Sequence, residues 1–216
     1  MNMKKRMLSI VLSGAMAVST AVSAGSFSAF AVAQCVAYSG SNVNDQDYVQ
    51  WSDTVTSYLT VCDNGNYMRV QSGAIEGKLL VEYYSSDFEP LSTKLIDNEL
   101  PIFGAFYDSG NNYYVLSGQE NPKQNDSLEV FRITKYDKNW NKIKSCGLYG
   151  ANTTVPFDAG SARMTHSGDH LLVRTCHEMY KSSDGNNHQS NVTIEVDMPS
   201  MTITDSYTGI MNVDYG

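Results

Sequence analysis

"GDHLLVRTC" (168–176) decides how this chain is read, because two other stretches repeat its plan. "NGNYMRVQS" (64–72) and "GNNYYVLSG" (110–118) also open on Gly beside Asn or Asp and run directly into a strand-like apolar segment. Gly with Asn or Asp supplies the positive φ of a tight hairpin, so each stretch reads as the second arm of one.

The neighbours repeat as well. A first run precedes each Gly turn: "SYLTVCD" (57–63), "PIFGAFYDS" (101–109) and "AGSARMTHS" (159–167). A third follows: "KLLVEYYSSD" (78–87), "LEVFRITKYD" (128–137) and "NVTIEVDMPS" (191–200). A fourth closes each unit: "PLSTKLI" (90–96), "WNKIKSC" (140–146) and "MTITDS" (201–206). No long segment after residue 33 keeps a helical period, and "DQDYVQWSDTVTSYLTV" (45–61), the nearest to one, turns strand-like in its second half.

The reading is all-β: three units of four antiparallel strands, at about 55–97, 100–146 and 159–206. Gly65 and Gly110 lie 45 residues apart, and Gly110 and Gly168 lie 58 apart. Four strands per unit at a period in the forties is the mark of β-propeller blades. A twelve-strand antiparallel sandwich is the alternative. Three blades do not close a ring, and "TGIMNVDYG" (208–216) reads from residue 209 as the start of a fourth unit. An incomplete ring implies a piece of a longer protein, closure by self-association, or open sheet edges.

The N-terminus reads as an address. "MNMKKR" is a positive n-region, an apolar and small-residue stretch follows, and "AVA" before Gln34 fits signal cleavage after Ala33, with Ala31 as the other site. Residues 34–216 are then the repeat domain of a secreted protein, with no membrane span after cleavage. Cleavage removes Lys4, Lys5 and Arg6 and no acid, taking the formal charge from −8 to −11. Such acidity argues against nucleic acid or an anionic membrane surface as partner. Cys35, Cys62, Cys146 and Cys176 allow three disulfide pairings in an oxidising compartment, or stand as buried thiols, and spacing does not choose.

The string "GSARMTHSGDHLLVRTCHEMYKSSDGNNHQSNVTIEVD" (160–197) resembles a repeat region of secreted, largely uncharacterised β-propeller-like proteins of Gram-positive bacteria. The resemblance extends over about residues 55–216 and is most specific around "RTCHEMYKSSDGNNHQSN" (174–191). It implies a fold and an extracellular compartment, and no activity.

Within that string, "CHEMYKSSDGNNHQS" (176–190) reads as the connection between strands two and three of the third unit, on the face where propellers gather their long loops. Arg163, Arg174, His177, Glu178, Tyr180, Asp184 and His188 are the candidate ligand-binding residues. Arg163 and Arg174 could grip an acidic sugar or sulfate in a forked contact, or pair with Glu178 or Asp169 as structure. "HEMYK" begins like the zinc motif HExxH but lacks its second His and sits in β context. His166 and His170 straddle the "SGD" turn. No metal site and no cofactor are expected. "DKNWN" (137–141) spaces oxygens as a calcium loop begins but reads better as a hairpin turn, and no catalytic residue is assigned. The leading function is a non-catalytic extracellular binding or interaction module for carbohydrate or a cell-surface protein. The alternatives are a propeller-type polysaccharide hydrolase or lyase centred on His177 and Glu178, and an inactive truncated fragment that associates through open sheet edges.

Overall fold

Three glycine turns fix the strand pairing. Gly65, Gly110 and Gly168 take φ values of 80°, 89° and 57°, and each lies between the first two strands of a sheet. The structure is a computed structural model that describes residues 54–158 and 160–209. The leader expected over residues 1–33, Cys35, and all but the first residue of the unit expected at 209–216 fall outside the described residues. No helix among them is long and apolar enough to cross a membrane.

The first sheet holds β1 (Ser57–Val61), β2 (Tyr67–Ile75), β3 (Lys78–Tyr84) and β4 (Pro90–Asp97). The second holds β5 (Ile102–Asp108), β6 (Tyr113–Gly118), β7 (Glu129–Tyr136) and β8 (Lys142–Tyr149). After a short β9 (Thr153–Pro156) come β10 (Arg163–Ser167), β11 (His170–Lys181), β12 (Asn187–Asp197) and β13 (Thr202–Tyr207). Each sheet is an antiparallel meander in chain order, and β9 adds to the third by pairing with β11. The four-stranded all-β blades expected from the repeat are therefore present, as three sheets stacked in series rather than the two of a sandwich.

Alternation along the strands gives the second sheet two apolar faces. Phe103, Phe106, Tyr113, Val115 and Tyr136 meet Met68, Val70, Leu79 and Val81 of the first sheet. Tyr114, Leu116, Phe131 and Ile133 meet Leu171, Val173, Val192, Ile194 and Val196 of the third. The first strands converge: Tyr58 of β1 sits edge-on to Phe103 and Phe106 of β5, at ring separations of 6.0 and 6.1 Å. The hydroxyl of Tyr107, also on β5, lies 2.7 Å from Nδ1 of His166 on β10. Face-to-face sheets with converging first strands are the packing of propeller blades.

Two aromatic residues at positive φ seal these interfaces. Trp140 (φ 65°) closes the β7–β8 turn, packs on Phe106, Tyr113 and Tyr136, and donates from Nε1 to the Tyr83 hydroxyl at 3.1 Å. That bond ties the second sheet to β3. Changing Tyr83 to Phe leaves the ring and removes the acceptor, so stability should fall by about 1 kcal/mol. Urea unfolding should show a lower midpoint at an unchanged slope. Phe157 (φ 61°) lies on the other face, edge-on to Phe131 and pressed over Gly104 and Gly118.

The Asp137–Asn141 stretch is the hairpin turn expected of it, closed by its own carboxylate. Asp137 Oδ1 accepts from the backbone N–H groups of Asn139 and Asn141, and Oδ2 accepts from the Asn141 amide. These bonds, the Asn141 side chain's first, hold the Asp137 carboxyl below its usual range.

Candidate functional site

The stretch expected as a long loop is mostly strand. β11 continues through Lys181 and β12 begins at Asn187, leaving Ser182 to Asn186 as the turn. Two things extend the hairpin. β9 supplies backbone partners for His177, Glu178 and Met179. The apolar-inward alternation of Leu171, Val173 and Thr175 also carries on through His177 and Met179, all buried. Asp184 closes the turn by accepting from Asn186 N–H at 3.0 Å, and its other oxygen lies 2.8 Å from His188 Nε2. The Asn186 backbone, then His188, hold the Asp184 carboxyl below its ordinary range.

Strand alternation separates residues that look clustered in sequence. His177 points inward and is 0% exposed, with Nδ1 2.7 Å from the Thr153 hydroxyl. Burial lowers its pKa to about 4, against a smaller opposing effect of the Thr208 backbone, so the imidazole is neutral at pH 7. Glu178 leaves the opposite face and accepts from the Asn187 amide at 3.1 Å. Tyr180 accepts from Asn121 Nδ2 at 2.9 Å, and burial followed by Asp126 raises its hydroxyl pKa. His177, Glu178 and Tyr180 are thus engaged with β9, β12 and the 119–128 loop rather than with one another.

Two candidates do meet. Arg163 of β10 stands directly opposite Arg174 of β11, Arg174 opposite Thr193 of β12, and Thr193 opposite Tyr207 of β13. Directly opposed residues project from the same face, so the four form one rung across the outer face of the third sheet. Arg163 Nη1 donates to Ser161 Oγ at 2.7 Å and to the Ala162 carbonyl at 3.1 Å. Arg174 Nη1 donates to Thr193 Oγ1 at 2.6 Å. The two guanidinium groups therefore reach toward different neighbours. The next rung is Thr165, Leu172, Glu195 and Asp205, with Leu172 39% exposed. Glu195 lies 2.7 Å from Nδ1 of His170. Arg163, Thr165, Leu172, Arg174 and Thr193 line a groove of about 320 Å³. Arg163 also lies near enough to Tyr58 of β1 that its charge offsets part of the rise burial causes in that hydroxyl's pKa.

The pairing had a signal in the sequence. The turn centred on Gly168 and Asp169 pairs Ser167 with His170, and counting outward pairs Arg163 with Arg174. Asp184 and His188 belong to the hairpin tip instead. Among the described residues no three His, Cys, Asp or Glu side chains gather as a metal site. Cys62, Cys146 and Cys176 are free thiols, each with its pKa raised by burial.

No protein-family model matches the chain, and no curated protein matches it. Among solved structures, a GH43 β-1,3-galactosidase determined with galactodeoxynojirimycin is similar to 69% of this chain at 12% identity, with a TM-score of 0.38. This chain spans 44% of that enzyme's length. The fold class rests on the strand order and the two intersheet clusters described above.

Proposed function

We propose that the chain is a non-catalytic extracellular binding module whose ligand face is the outer face of its third sheet. The Arg163–Arg174 rung carries this reading: two arginines at directly opposed positions on the exposed side of the sheet, with the Ser161 and Thr193 hydroxyls bonded to them and an exposed Leu172 on the next rung. A surface-exposed carbohydrate or a cell-surface protein is the kind of ligand such a face suits. The extracellular assignment follows from the leader pattern in residues 1–33. The polysaccharide-degrading alternative asks His177 and Glu178 to act on one substrate, yet their side chains leave opposite faces of β11 and His177 is buried.

The test places the secreted protein with a panel of polysaccharides and follows both retention and new reducing or unsaturated ends. Retention without product is the expected outcome. Product that forms with the native chain and disappears with Glu178→Gln would make the protein an enzyme and end the binding reading.

A further inference from the structure

We infer that the cleft between the second and third sheets, at the end where β5 turns into β6 and β10 into β11, is a site for one neutral sugar residue, hydrogen-bonded by Lys135 from the second sheet and Asp169 from the third. This cleft shares no lining residue with the groove beside Arg163 and does not depend on the outer face being a ligand face.

The cavity measures about 300 Å³, and both sheets supply its walls. Asn111, Tyr114 and Lys135 line it from the second sheet, and His166, Asp169 and Pro199 from the third. Two hydrogen bonds tie the walls together. Lys135 Nζ donates to the Met198 carbonyl at 2.9 Å, and the Met198 N–H donates to the Asp169 carbonyl at 2.8 Å. Tyr114 is the most buried residue of the lining, at 0% exposure, and its hydroxyl has no hydrogen-bond partner among the described residues. Burial, and then Tyr107, pushes that hydroxyl's pKa up to about 12, so it keeps its proton. A buried hydroxyl without a partner is destabilising, and a ligand oxygen would supply one.

The unused groups are mixed in kind. Lys135 keeps two of its three N–H donors after the bond to Met198. Its charge is felt by Asp197, whose carboxylate is itself engaged by Ser200. The His166 ring spends Nδ1 on the Tyr107 hydroxyl and leaves Nε2. The side chains of Asp169 and Asn111 make no hydrogen bond among the described residues. An anion here would meet Asp169, and a cation would meet Lys135. A neutral hydroxylated ring meets neither objection, because each of its hydroxyls donates one bond and accepts others. Lys135 and His166 can give to sugar oxygens while Asp169 takes a hydroxyl proton in a charge-assisted bond. Met198 and Pro199 add an apolar wall for the C–H face of the ring. The volume is at the small end for ligand sites, which suits one terminal residue rather than a chain laid across the cleft.

Titration of the isotope-labelled full chain, followed by two-dimensional NMR, tests this. The probes are the methyl β-glycosides of galactose, glucose and N-acetylglucosamine, with glucuronate and glucosamine as charged counterparts. At least one neutral probe should shift the amide signals of Asn111, Lys135 and Asp169 with a Kd of about 1 mM or below, and about fivefold or more tighter than either charged probe. Asp169→Ala should weaken that binding by about tenfold, the worth of one charge-assisted hydrogen bond. Tyr114→Phe should weaken it by about threefold or more, while the thermal midpoint of the free protein stays unchanged or rises. A hydroxyl with a purely structural role would lower that midpoint and leave affinity alone. Arg163→Gln should not change the affinity. If the shifts gather on Leu172 and Thr193 instead, the inference is wrong while the outer-face reading stands. If no neutral probe shifts the signals of the cleft, if a charged probe binds as tightly, or if Asp169→Ala leaves binding intact, the inference is wrong.

Discussion

Replacing Phe157 with alanine should lower the free energy of unfolding by about 3–5 kcal/mol, the cost of emptying a buried aromatic site. Phe157 reaches the core from the connection between the second and third sheets, at φ 61° and almost fully buried. A bulky residue in the left-handed region carries local strain, and here the strain aims the ring at the one place the second sheet can receive it. That place is made by glycine. A Cβ at Gly104 would lie 2.4 Å from the Phe157 ring, and one at Gly118 would lie 2.8 Å from it. Gly104→Ala should therefore destabilise the native chain by about 1–3 kcal/mol through overpacking. In the Phe157→Ala background the same change should cost much less, because the methyl enters the space the ring left. Chemical denaturation of the four proteins in this cycle measures the coupling. Strict additivity would mean that ring and glycine do not share a site.

The second large effect is on acid stability. His177 is neutral and buried, with a folded-state pKa of about 4 against about 6.5 in an unfolded chain. Lowering the pH through this window protonates the unfolded chain first. The stability that the neutral imidazole allows is whole above about pH 6.5 and is lost as pH falls toward 4, by about 3 kcal/mol. Asp137, Asp184 and Asp197 also favour the charged form in the folded state, but their carboxyls sit below the ordinary aspartate range, so they titrate beneath this window. Urea unfolding at pH 7, 6, 5 and 4.5 should show a steep fall for the native chain and a shallower one for His177→Gln. Parallel curves would mean that His177 already takes up its proton in the folded protein.

The sheets were legible in the sequence because a tight turn announces itself locally. Gly65, Gly110 and Gly168, with Asn and Asp beside them, mark three hairpins, and strands of consistent character follow each in order. β9 and Phe157 were not legible, since "TTVPF" has no partner in its own neighbourhood and becomes a strand only where β11 offers it an edge. The same long-range pairing turned "CHEMYK" from loop into strand and sent His177 and Glu178 to opposite sides. At the tip the Asp184 carboxylate caps the turn by accepting from the Asn186 backbone, and the Asn187 amide bonds across to Glu178 of β11. The arginine rung could have been counted from the Gly168 turn. Whether both side chains faced solvent depended on which side of the third sheet meets Tyr114 and Phe131, a fact of packing that no single hairpin holds.

The meander within each sheet also bears on how the chain acquires its shape. Nearly all strand pairs join neighbours in the sequence, so each hairpin can close soon after its second arm is synthesised. Burial lags behind pairing. The second sheet is fully paired once Tyr149 has been made, yet the surface over Gly104 and Gly118 stays open until Phe157 follows it. During synthesis a two-sheet intermediate should carry an exposed apolar face for as long as that connection takes to emerge. Encounters between nascent chains would be most damaging in that interval, before the third sheet has been made to cover it.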